Sequence, residues 1–135
     1  MKTPKKLKHK PIVSVNDYDK IDGKYRNNTD AKALSLGKAQ YDNNEISLKI
    51  WRNVNSKWSR QSEELPLHRN LDLTILLLDV LNNIKDGKYN FDNFKTEINS
   101  EEFNKIEEYY NKAENKLEID SRIESIWNKI NELKK

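Results

Sequence analysis

Hydrophobic and polar positions alternate most clearly over residues 46–52. Ile46, Leu48 and Ile50 fall on one side, and Ser47, Lys49 and Trp51 on the other. A period of two predicts a half-buried strand with its aliphatic side packed on a helix. Residues 57–62 read as a second strand returning across a turn at 53–56. The expected register sets Trp51 opposite Trp58, Lys49 opposite Arg60 and Ser47 opposite Ser62. Residues 11–15, PIVSV, alternate and are β-branched, which predicts another short strand. Residues 16–28 are rich in turn formers.

The other patterns are helical. Residues 71–81 form the only strongly apolar segment, within a central helix expected over 66–83 with Pro66 in its first turn. Arg69, Asp72, Asp79 and Asn83 share one narrow stripe, so this helix is expected to be the most buried element. Thr29 is a candidate cap for a helix over 31–41, with Ala31, Leu34 and Ala39 inward and Gly37 weakening it. Asn99 and Glu102 make a capping box before a seam of Phe103, Ile106, Tyr110, Ala113 and Leu117. Ser121 and Glu124 open a last helix bearing Ile123, Ile126, Trp127, Ile130 and Leu133. These two segments predict a helical hairpin, or one long helix with a break near Asp120. The fold class expected is α+β: a small β-hairpin or sheet on a buried central helix, with a C-terminal helical hairpin. The division is a flexible basic tail at 1–10, a core domain at 11–98 and a helical oligomerisation element at 99–135.

Composition narrows the chemistry. Hydrophobic and charged residues each make up 35% of the 135 residues, which leaves a thin core and favours a homo-oligomer. With no Cys, disulfides, thiolate catalysis and thiolate metal sites are excluded. Three Gly leave no phosphate-binding loop, and NDYDKIDG lacks the spacing of a calcium loop, so no metal or cofactor is expected. The apolar segment is too short to span a bilayer and no apolar run that could be a signal peptide follows the basic N-terminus, which points to the cytoplasm without membrane contact. The net charge of +3 comes from five tail lysines, and without them the body carries −2. A basic tail on a mildly acidic body ranks nucleic acid behind other partners.

Arginine is scarce, and three of the five, Arg52, Arg60 and Arg69, lie between positions 52 and 69. Arginine presents a planar fork to carboxylate or phosphate that lysine lacks. Lys49, Trp51, Arg52, Trp58 and Arg60 would form a cation–aromatic face suited to a ring bearing phosphate. Gln61, Glu64, His68 and Arg69 crowd the start of the central helix. The plainer alternatives are a packed Trp pair and ion pairs that anchor the turn. No serine sits in a nucleophile elbow, so no catalytic residue is assigned.

The segments NTDAKALSLGKAQYDNNEISLKIW and WSRQSEELPLHRNLDL, and the opening HKPIVSVNDYDKIDGKY, resemble an uncharacterised family of small bacterial and phage proteins over roughly the first 80 residues. That family carries no activity to transfer. Phage membership implies one reading: a protein that sequesters a host nucleotide signal. The expectation is therefore a non-enzymatic oligomer binding a small anionic ligand, such as a cyclic or ADP-ribose-type nucleotide, as a phage-type sponge. A nucleic-acid-binding accessory protein and a small hydrolase using His68 and Glu64 are the alternatives.

Overall fold

The computed structural model describes residues 1–60, 62–87 and 94–135. The chain is α+β. It runs through β1 (Lys10–Val15), two short 3-10 turns (Tyr18–Lys20 and Gly23–Tyr25), β2 (Ala31–Lys38), β3 (Ile46–Val54), β4 (Lys57–Trp58) and β5 (Glu64–Pro66). Three helices follow: α1 (Leu67–Asp86), α2 (Phe103–Asn111) and α3 (Ala113–Leu133). The strands form one antiparallel sheet in the order β1-β2-β3-β4, with β5 also pairing β3.

The helix expected over 31–41 is instead β2. Ala31, Ala33, Ser35 and Gly37 are buried on one face while Lys32, Leu34 and Leu36 lie on the other. The period is therefore two, and the helical propensity of Ala and Leu gave way to pairing on both sides. Thr29 Oγ1 accepts a hydrogen bond from the Ala31 amide, so it closes a tight turn and caps no helix. At Gly37, which pairs with Pro11, a Cβ would stand 2.0 Å from the Lys10 carbonyl oxygen. Glycine at this position lets β1 cross close over β2.

β3 has the expected alternation but its burial is inverted. Ser47, Lys49 and Trp51 are buried, while Leu48 and Ile50 are only half-buried and Ile46 is exposed. The alanines of β2 make room for the large indole: Ala33 pairs with Trp51 and is itself fully buried. The β3–β4 register also differs. Asn53 faces Trp58 and Val54 faces Lys57, around a two-residue turn in which Asn55 (φ 52°) and Ser56 (φ 64°) are both left-handed. That is the type I′ geometry that matches strand twist. β5 pairs with β3 two places out of step with β4, and this adds to the two-place difference in the hairpin register, so Lys49 faces Glu64 rather than Arg60.

α1 begins after Pro66 and ends at Gly87, whose left-handed φ of 69° allows its amide to bond the Asn83 carbonyl. It is not the most buried element: Asn83 is its only buried residue. Asn99 Oδ1 accepts from the Glu101 and Glu102 amides in a turn rather than in the expected capping box: α2 starts only at Phe103, with Glu102 as its N-cap and no side-chain cap hydrogen bond. The break between the C-terminal helices falls at Lys112, where the backbone is extended, and α3 runs unbroken through Asp120. Tyr110 donates to Asp120, and Asn115 donates to the Tyr109 carbonyl, tying the two helices together. Among the described residues no helix is long and apolar enough to cross a membrane.

Candidate functional site

The first residues of the chain do not form a detached tail. Thr3 and His9 are buried, and the Thr3 hydroxyl bonds that of Ser14. His9, just before β1, enters the inner face of the sheet and meets residues from β2, β3 and β5. Its Nε2 lies 2.8 Å from Ser35 Oγ, and its Nδ1 lies 2.9 Å from Ser47 Oγ and 3.0 Å from Glu64 Oε1. The Trp51 indole N–H donates to Ser35 Oγ at 2.8 Å. Because that oxygen accepts from the indole, its own hydrogen is free to go to His9 Nε2. The network therefore assigns His9 the neutral form protonated on Nδ1, facing Ser47 and the carboxylate.

Burial is the main influence that lowers the His9 pKa. Glu64 opposes the shift and Lys49 adds to it. Lys49 is also buried, its ammonium 4.6 Å from the centre of the Trp51 ring, and its pKa is lowered by burial against the pull of Glu64. Glu64 Oε2 accepts from the Gln40 amide, while Oε1 has no well-directed hydrogen bond and serves His9 chiefly as a nearby charge. His9 and Trp58 both meet the Trp51 ring edge-on. This is a closed polar core holding one cation, one anion and one histidine, with little access from outside.

Ser35, His9 and Glu64 have the connectivity of an acyl-transfer triad. Three features weigh against that chemistry here. Ser35 lies mid-strand between β1 and β3, its oxygen already accepts the indole proton, and no glycine turn presents oxyanion donors beside it. The arrangement does join the N-terminal segment to three strands.

Of the residues singled out by sequence, Lys49, Trp51, Trp58 and Glu64 converge at this core. Arg52 lies on the opposite face, where its guanidinium is taken up by Asp30 at 2.5 Å and by both Glu63 oxygens. Those bonds raise the Arg52 pKa and lower that of Glu63. Arg60, His68 and Arg69 are exposed, and Gln61 lies outside the described residues. His9, Ser35 and Ser47 were not singled out. The legible signal was Ser47, which alternation puts on the Lys49–Trp51 face.

The outer face of the sheet carries a cleft of about 460 Å³. It is walled by Val13, Val15, Leu34, Leu36, Leu48, Ile50 and Leu65, with Tyr18, Glu63 and Asn70 at its margin. A family model matches residues 1–135. The chain belongs to DUF6530, a family of unknown function. The DUF6530 match takes in the C-terminal helices as well as the first 80 residues that carried the resemblance. No curated protein and no solved structure matches the chain. Among the described residues no group of three or more acidic, His or Cys side chains could hold a metal ion.

Proposed function

We propose that this protein is a non-enzymatic binding protein that holds a small ligand in the cleft on the outer face of the sheet. The observation that carries the reading is the aliphatic cleft itself, about 460 Å³, inside the range of roughly 300–1,000 Å³ typical of small-molecule sites. A sheet face lined by seven aliphatic side chains is ordinarily covered by a helix, yet α1 reaches this one only at its edge, through Asn70. The ligand class that fits is a planar or aliphatic body with few polar groups, met by the Asn70 amide, since the Tyr18 hydroxyl is engaged by Asp22 and Arg122. A binding role without turnover is supported by the opposite face. There His9, Glu64 and Lys49, the groups capable of proton transfer, are buried among one another.

A nucleotide-like anion is a narrower form of the same proposal. Its base would take the cleft; Lys49 is among the residues that line it, but the Lys49 ammonium lies over the Trp51 ring and Arg52 is paired, so the phosphate would need a further cation. Tight binding without turnover would suit a sponge for a host nucleotide signal, in the bacterial or phage setting that the sequence resemblance implies. Native mass spectrometry of the protein purified from cells, with thermal-shift assays against nucleosides, cyclic and ADP-ribose-type nucleotides and fatty acids, tests both forms. The expected result is a retained ligand or a shift that Leu48→Glu or Leu36→Glu removes while circular dichroism is unchanged. No ligand and no shift with any class would overturn the proposal.

A further inference from the structure

α3 is held to the rest of the chain along its first half. Asn115, Glu118, Ile119, Asp120 and Ile123 are buried or half-buried, where α2 and the turn at Gly23–Tyr25 pack against the helix. The last polar hold is Arg122, which donates to the Ile21 carbonyl. Every residue from Glu124 to Lys135 is exposed. A helical stretch of that length, at or below about 12–15 residues, is marginal in water without tertiary packing. It also carries large apolar side chains: Trp127 is 60% exposed and Leu133 85%, with Ile126 and Ile130 exposed between them. The exposed surface of the chain is 10375 Å². A compact monomer of 16.0 kDa should expose about 7,400 Å². The excess of roughly 3,000 Å² exceeds the ~800 Å² that each partner gives up in a standard interface.

Spacing and charge specify what fits there. Ile119, Ile123, Ile126, Ile130 and Leu133 recur in steps of four, three, four and three. That is the heptad seam of a two-helix coil, with Ile123 and Ile130 at a, and Ile119, Ile126 and Leu133 at d. We propose that the cover is a second copy of this chain, the two α3 helices packed antiparallel about a two-fold axis near Asn128. In this register Ile126 meets Ile130 of the second copy and Ile123 meets Leu133, each twice over. Asp120 and Lys134, both at e, then face each other twice, with the two Trp127 rings between them. Asp120 already accepts from Tyr110 and pairs with Lys116, but its side chain is still 45% exposed and has room for a further cation. On the other flank the two Lys129 approach, one like-charge contact against two attractive ones. A parallel pair would set Lys129 against Lys134 twice and bring no opposite charges together, so charge selects the antiparallel arrangement. Sterically the overlap ends where the body begins, because Leu133 of the second copy reaches Ile123, the last half-buried residue of α3.

Sedimentation velocity and light scattering of the full chain test this directly. The expected result is a dimer at micromolar concentration that Ile130→Glu with Leu133→Glu converts to a monomer. Both residues are exposed in the single chain, so the variant should keep its cooperative melting transition. The chain has no cysteine, so introduced ones report the register. A mixture of Ile123→Cys and Leu133→Cys chains should form disulfide-linked dimers of one of each. Leu133→Cys alone should not, because at 1.5 Å per residue the two copies of that position lie about 15 Å apart along the seam. A wild-type monomer, including one that binds anionic vesicles instead, would overturn the proposal. So would a dimer that the double Glu variant leaves intact, or one in which Leu133→Cys links readily to itself, as a parallel pair would. Leu48→Glu is not in this seam and should leave the dimer intact, so ligand binding and self-association fail separately.

Discussion

At the scale of single residues, the buried contacts of His9 have a measurable consequence in pH. Burial lowers its pKa below the ordinary 6.5, so between the folded and unfolded values the unfolded chain binds more protons. Stability must therefore fall as pH drops through about 6.5. The carboxylates held low by their partners, Glu63 and Asp120, lose their contribution only further into acid. Denaturant titrations at pH 7.5 and 5.5 should show a lower unfolding free energy at the lower pH. His9→Gln should flatten that difference. It should also destabilise the protein at pH 7.5 by about 2–4 kcal/mol, because Ser35, Ser47 and Glu64 lose a buried partner. A pH difference that survives in His9→Gln would place the titrating group elsewhere.

At the scale of elements, the β3–β4 hairpin and the strand–helix ambiguity at 31–38 show how local preference and pairing compete. Asn55 and Ser56 both occupy the left-handed region, which suits Asn and suits Ser less well. Ser56→Gly relieves that strain and should raise stability by about 0.5–1 kcal/mol, read as a higher denaturation midpoint with an unchanged slope. A neutral or destabilising result would show that the Ser56 backbone carries no such strain. β2 was hidden by its composition: Ala, Leu and Lys favour helix when alone, and only the neighbours β1 and β3 make the alternation count. β3 was legible because Ile46, Leu48 and Ile50 alternate so plainly. Its inward side was not, since aliphatic residues were expected to take the core.

For the whole molecule, the core closes only when the N-terminal segment is in place. His9 fills the inner face, Thr3 is buried, and the Met1 ammonium pairs with Asp17 beyond the far end of β1. Removal of residues 1–9 should therefore lose cooperative unfolding or lower the melting temperature by ten degrees or more, as expected for several kcal/mol in a domain of this size. Replacing Lys5 and Lys6 by Ala should do little by comparison, because both are exposed. An unchanged melting temperature after truncation would mean that the inner polar core is held by β2, β3 and β5 alone.

By itself the sequence determined the α+β class, β1, the alternation of β3, α1 and the presence of two C-terminal helices. Each of these is written in the spacing of neighbouring residues, and short-range sterics and hydrogen bonding read that spacing directly. It also brought Lys49, Trp51, Trp58 and Glu64 into one candidate group. Tertiary structure alone decided that β2 is a strand, that the polar side of β3 faces inward, and that β5 pairs with β3 so as to set Glu64 against Lys49. It likewise decided that His9, 26 residues before Ser35 and 38 before Ser47, completes their network. Those outcomes depend on which segments meet across the sheet, and pairing over such separations has no local signature.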